Sequence, residues 1–303
     1  MLELAATVRE RRERIKKIIT DIDASSGQHS NSLDPANRLP GAIEKLSDPA
    51  AKYTLAFPFV GFDQSDRFKV VQGNWPYVGR TKFKELVQEL REVRQSEVYS
   101  HVWLYGTQGY GKSHLLAALV CYLVAQDERV IYIPDCRTLL QNPVKYVRNA
   151  MLFAWADNIT TQREIMKLDT KGEIEDFFDP PLNAIFVVDQ MNALKTSDVS
   201  RDEARHRQEL SQWLDRFILG HKAVYSSSAN HTDYLQQSIK QNSNRVLRVY
   251  GGLTRVSYLI TTYNEASNSV RLKWMSGGSV AALPWERAKK RRLKTPPAAS
   301  HCS

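Results

Sequence analysis

The stretch Val102 to Ser113, VWLYGTQGYGKS, decides the fold, because a run of apolar residues leads straight into GxxxxGKS and the following KSHLLAAL reads as a helix. That is the pattern of a phosphate-binding loop. Gly106, Gly109 and Gly111 free the backbone to curl so that successive N–H groups point inward, and the helix that follows adds the partial positive charge of its N-terminus. Thr107, Gln108 and Tyr110 fill the loop, Lys112 is placed to reach the β- and γ-phosphates, and Ser113, followed by His114, is placed to ligate Mg²⁺.

Working outward, Ala184 to Asp189, AIFVVD, has the unbroken apolar character of a central parallel strand and ends in a carboxylate where strand ends meet a ligand. It reads as a Walker B strand, with Asp189 sharing the Mg²⁺ with Ser113; a capping Asp at a strand end is the plainer alternative. Gln190 stands where an acidic residue usually follows to polarise the attacking water. A neutral amide orients water but accepts a proton poorly, so the expectation is slow hydrolysis and a nucleotide used as a switch. After the strand 222–227, the turn SSANHTD puts Ser228 and Asn230 where a polar sensor of the γ-phosphate would sit, although both are also ordinary turn residues. Arg245 falls where an arginine finger would, or is a surface arginine.

Upstream, WPYVGRTKFKELVQEL (75–90) joins an apolar pair, Gly79 and Arg80 to a helix with Phe83, Leu86, Val87 and Leu90 on one face. This resembles the entry motif of AAA+ and STAND-type NTPases, in which the Gly-Arg element lies against the nucleotide base. Strand, loop, helix and the strand 129–133 make a βαβ unit, and 143–158 and 202–219 read as further helices. The expected fold class is therefore α/β: a P-loop NTPase, AAA+/STAND-like, with a central, mostly parallel sheet flanked by helices. Four segments follow: an amphipathic N-terminal helix (1–23), a flexible linker (24–52), the NTPase domain (53–253) and a divergent C-terminal segment (254–303) that reads as truncated or altered.

In the first segment Leu4, Val8, Ile15, Ile18 and Ile22 recur at heptad-like spacing with Arg11 interrupting, which suits packing on the domain, a homo-oligomer or a protein partner. The linker owes its reading to SSGQHSNSLDPANRLPG. The chain has 303 residues and a net charge of +9, but six basic groups are concentrated in RAKKRRLK, Arg287 to Lys294, so the body is only mildly basic. That run suits a nuclear localisation signal, a nucleic-acid-binding tail or a solvated end. No apolar run is long enough to span a bilayer, so no membrane association is expected, and the first residues have no apolar signal core. Three cysteines at spacings matching no metal motif suggest reduced thiols in an intracellular compartment. Adenine and guanine are not distinguished by the loop, but an NKxD signal is missing, so ATP is expected before GTP.

YVGRTKF, YGTQGYGKSHLLAAL, VIYIPDCRTLL, IFVVDQMNAL and the SSSAN turn, in that order, together look like the Crinkler (CRN) family of fungi and oomycetes, relatives of the retrotransposon hot spot proteins of trypanosomes. The resemblance covers about Phe57 to Leu253. It implies a STAND-like NTPase module regulating an effector domain, often nuclease-like, in a secreted protein acting in a host nucleus, and it makes Gln190 part of the pattern. It also draws in Asp135 and Arg137, which follow the second strand. Against it, no translocation segment is recognisable in the first 50 residues and no nuclease fold has room after Leu253. A nucleic-acid-binding effector whose nucleotide site is only structural is the alternative.

Overall fold

The computed structural model describes residues 2–27, 39–61, 66–107, 109–179, 182–194, 199–228 and 244–249. The chain divides into a unit Met1–Ser257 and a second, Tyr258–Ser303; every described residue belongs to the first.

Its centre is a five-stranded parallel sheet in the order β4-β5-β6-β3-β7, made of β3 (His101–Gly106), β4 (Val130–Ile133), β5 (Ile185–Val188), β6 (Lys222–Ser228) and β7 (Asn244–Arg248). β4 and β5, VIYI and IFVV, are buried along their whole length, as β-branched and aromatic strands covered on both faces must be. The strand that carries the phosphate loop, β3, lies between β6 and β7, and one strand separates it from β5. This is the sheet of an AAA+-like P-loop NTPase, and the expected fold class holds. Ligands of such sheets bind beyond the C-terminal strand ends, where the order reverses.

α4 (Lys112–Ala125), KSHLLAALVCYLVA, has no polar face, and its residues from Leu115 to Val124 are all buried. A helix apolar all round needs cover on the side away from the sheet. α1 (Leu2–Ala24) packs on α4 and on α2 (Pro40–Ser47), and buries Ala5, Val8, Arg12, Ile15, Ile19 and Ile22, a strict 3-4 repeat. The seam is one residue away from the one expected at three points: Ala5 rather than Leu4 and Ile19 rather than Ile18 are in the core, and the interrupting residue is Arg12, 1% exposed, while Arg11 reaches aside to the Phe57 carbonyl at 3.1 Å. Burying each of the Val and Ile side chains contributes roughly 1.5–3 kcal/mol. The stripe read as a partner surface is thus spent inside the NTPase unit.

Within the stretch expected to be linker, Pro40–Ser47 forms a second helix, α2, with Ala42 and Leu46 fully buried; Pro at its start is preorganised for a first turn. Composition alone could not show this, because GAIEKL supplies only two large apolar residues. α2 leads into β1 (Lys52–Ala56), which pairs antiparallel with β2 (Asn74–Val78) and is followed by α3 (Lys82–Gln95). The remaining helices are α5 (Cys136–Gln141), α6 (Pro143–Ala154), α7 (Ile159–Ile165), α8 (Lys171–Phe177) and α9 (Arg201–Ile218), and no described helix is long and apolar enough to cross a membrane. Cys121 and Cys136 are buried free thiols; Cys302 and the basic run 287–294 lie outside the described residues.

Candidate nucleotide site

The loop after β3 has the conformation its glycines permit. Gly109 (φ +86°) and Gly111 (φ +78°) occupy the left-handed region, and Gly111 precedes α4 with no side-chain cap, leaving the first N–H groups of that helix to a ligand. Gly106 has a different reason: a Cβ there would come within 2.0 Å of the Val249 carbonyl oxygen. Lys112, buried, folds back to donate to the Gly106 and Thr107 carbonyls at 2.6 and 2.8 Å. Burial holds its ammonium below the usual lysine pKa, with Asp189 opposing. Phosphate oxygens would take over those hydrogen bonds. Gln108 and Asn230 lie outside the described residues, and of Ser228 only the backbone, at the end of β6, is described.

Gly79 and Arg80, just after β2, are fixed against the C-terminal end of α2. A Cβ on Gly79 would fall 2.0 Å from the Asp48 carbonyl oxygen, and Arg80 N–H donates to the Leu46 carbonyl at 3.0 Å. The Arg80 guanidinium lies against the loop itself: a Cβ at Gly111 would be 2.4 Å from its Cζ. Its Nε is buried without a hydrogen-bond partner, and burial lowers its pKa. His114 turns away from the loop into an aromatic cluster, 5.1 Å from Phe68 and 5.4 Å from Trp75. Burial, with Arg80 and Arg67 adding repulsion, brings its pKa down to about 3, so it stands as a neutral packing group.

Asp189 follows β5, 1% exposed, and its backbone N–H continues the ladder to the Ile133 carbonyl at 2.8 Å. The β5–β6 register ends at Val188 opposite Tyr225, which sets Ser226 beside Asp189. Ser226 Oγ donates to Asp189 Oδ1 and accepts from Gln190 N–H at 3.1 Å. Gln190 itself has φ +63°, an uncommon conformation for a non-glycine residue. Ser226 is therefore the β6 residue that grips the Walker B corner.

A second residue invisible in the sequence is Arg67, in the 3-10 turn Asp66–Phe68. Its Nη1 donates to Ser113 Oγ at 3.0 Å and to Asp189 Oδ2 at 3.3 Å; its Nη2 donates to the Pro134 carbonyl at 3.1 Å and to Asp135 Oδ2 at 3.2 Å. Asp135 also caps α5, accepting from Arg137 N–H at 2.8 Å, and pairs with the Arg137 side chain. Ser113 and Asp189 do converge as expected, but on a guanidinium. A hydroxyl and a carboxylate are suitable Mg²⁺ donors in kind, but as placed here they already serve a cation. The residues present do not fit a Mg²⁺ ion at this corner.

Arg245, considered as a finger, lies on β7 opposite Val102, toward the other end of the sheet. There it pairs with Glu89 and, at 2.6 Å, with Glu92 of α3, and it covers the Tyr99 ring. Its role is to tie the edge strand to α3.

Residues 77–171 match the model of the family described as mitochondrial ribosomal death-associated protein 3. This overturns the resemblance to the Crinkler family, since YVGRTKF, YGTQGYGKSHLLAAL and VIYIPDCRTLL all fall inside that match. The implied effector role, secretion and host nucleus lose the ground they stood on. No curated protein matches. Among solved structures, one titled as a DNA replication initiation factor is 15% identical, with 61% of this chain and 50% of that chain covered and a TM-score of 0.37. The AMPPCP-bound DnaA from Aquifex aeolicus is also 15% identical, with 68% and 64% covered and a TM-score of 0.35. The chain thus spans half to just under two thirds of the length of these structures.

Proposed function

We propose that this chain is a nucleotide-binding P-loop protein that takes ATP in preference to GTP and hydrolyses it slowly. The observation that carries this is Lys112, held by the Gly106 and Thr107 carbonyls at the mouth of an uncapped helix N-terminus. The lysine is in the loop, its charge is sheltered, and its acceptors are ones that a phosphate outcompetes. Arg80, laid on Gly111 with its Nε unpartnered, adds a second positive group against the same loop. The family match over 77–171 covers this half of the site and is consistent with the same reading.

Slow turnover follows from the residue after Asp189. Gln190 offers an amide rather than a carboxylate, so water is oriented without a strong proton acceptor. Calorimetric titration with ATP and with GTP tests the proposal. Lys112→Ala should weaken ATP binding by about 1.5–3 kcal/mol, the worth of hydrogen bonds to a charged group, or roughly 10- to 150-fold in Kd. An unchanged Kd in that variant, or no heat from the wild type, would overturn it.

A further inference from the structure

We propose that Arg67 is the resident cation of the site: its guanidinium neutralises the Ser113–Asp189 corner, and nucleotide binding by this chain is independent of Mg²⁺. The inference rests on nucleotide binding at the same loop. One nitrogen, Nη1, is bonded to both Ser113 Oγ and Asp189 Oδ2, and the other, Nη2, to Asp135 and the Pro134 carbonyl. These acceptors lie at the start of α4 or just beyond the C-terminal ends of β4 and β5, on the ligand side of the sheet.

Charge balance favours the arginine over an added ion. Asp189 and Asp135 are matched by Arg67 and Arg137. A divalent ion placed in this corner would face the guanidinium at close range, and like charges that near repel one another strongly where water is partly excluded. The backbone is also pinned. Phe68, the next residue, is 1% exposed and wedged against Phe57, Trp75 and His114 with ring centroids 4.7, 5.6 and 5.1 Å away. Arg67 therefore reaches the corner from a fixed point, and its cation comes from the chain instead of from solution.

Titration of the full chain with ATP in millimolar Mg²⁺ and in EDTA, read by calorimetry, tests this. Wild type should bind with a Kd that changes by less than about threefold between the two buffers. Arg67→Ala should bind in Mg²⁺ and weaken at least about tenfold on chelation, because the missing charge must then be supplied by the ion. Arg67→Lys, which keeps a cation, should stay close to wild type and carries the comparison should the alanine variant fail to fold. A wild type that loses tenfold or more in EDTA would overturn the inference, as would an Arg67→Ala protein indifferent to Mg²⁺. Absence of ATP binding by the wild type in both buffers would instead remove the nucleotide reading, and this inference with it.

Discussion

The two ends of the parallel sheet treat buried positive charge in opposite ways. At the C-terminal end, Arg67 meets two carboxylates, a hydroxyl and a carbonyl, and Asp189 is held from its other side by Ser226. At the N-terminal end, where α4 runs into β4, Arg12 is buried more deeply yet donates only to the Glu128 carbonyl, at 3.1 Å, with Nε and Nη1 unpartnered. Burial lowers its pKa, and Asp157 opposes that only from a distance. The first arrangement is a charge network organised around a site; the second is a cation tolerated inside a helix seam. The difference lies in what each end loses when a partner is removed.

Asp189→Ala is the harshest way to break that contrast. It takes from Arg67 one of its two carboxylates and from the Ser226 hydroxyl its acceptor, and removing one member of a buried pair costs up to about 3–5 kcal/mol. Urea unfolding of the full chain measures it; a loss below about 1 kcal/mol would mean that the network contributes no more than a surface pair. Ser226→Ala should cost less, about 1–3 kcal/mol for the acceptor and donor left unsatisfied, with the loss visible as a lower midpoint at unchanged slope.

Arg12→Met probes the other end. Its long apolar side chain fills a similar volume and removes two unpartnered nitrogens, so stability should stay within about 1 kcal/mol of wild type or rise. A loss above about 2 kcal/mol would show that the single Glu128 carbonyl bond anchors α1, and the distinction between the two ends would fall.

How legible these features were follows from their range in sequence. The phosphate loop and the β5 strand were readable because six or eight consecutive residues carry each of them, and AIFVVD ends in its functional carboxylate. Ser226 is not legible because three serines end β6, and only the β5–β6 register, Val188 opposite Tyr225, says which one faces Asp189. Arg67 stands 46 residues before Ser113 and 122 before Asp189, in a polar stretch with no periodicity. Nothing short of the tertiary fold brings it in. The α1 seam is legible at Val8, Ile15 and Ile22 and one residue off at its other positions, since a buried arginine contradicts the expectation that charge marks the solvent face.

A gentler probe of the N-terminal end is pH. His221, 4% exposed and just before β6, accepts from Leu182 N–H at its Nε2 at 3.1 Å, which an imidazolium could not do. Burial lowers its pKa, so the folded protein resists a proton that the unfolded chain takes up below about pH 6.5. The sign follows: the unfolded state binds more protons in that range, and stability present above pH 6.5 is lost as the pH falls below it. His221→Gln, whose amide oxygen can accept the same bond without titrating, should flatten the decline in unfolding midpoint between neutral and mildly acidic buffer. Equal declines in the two proteins would show that His221 does not carry the acid sensitivity.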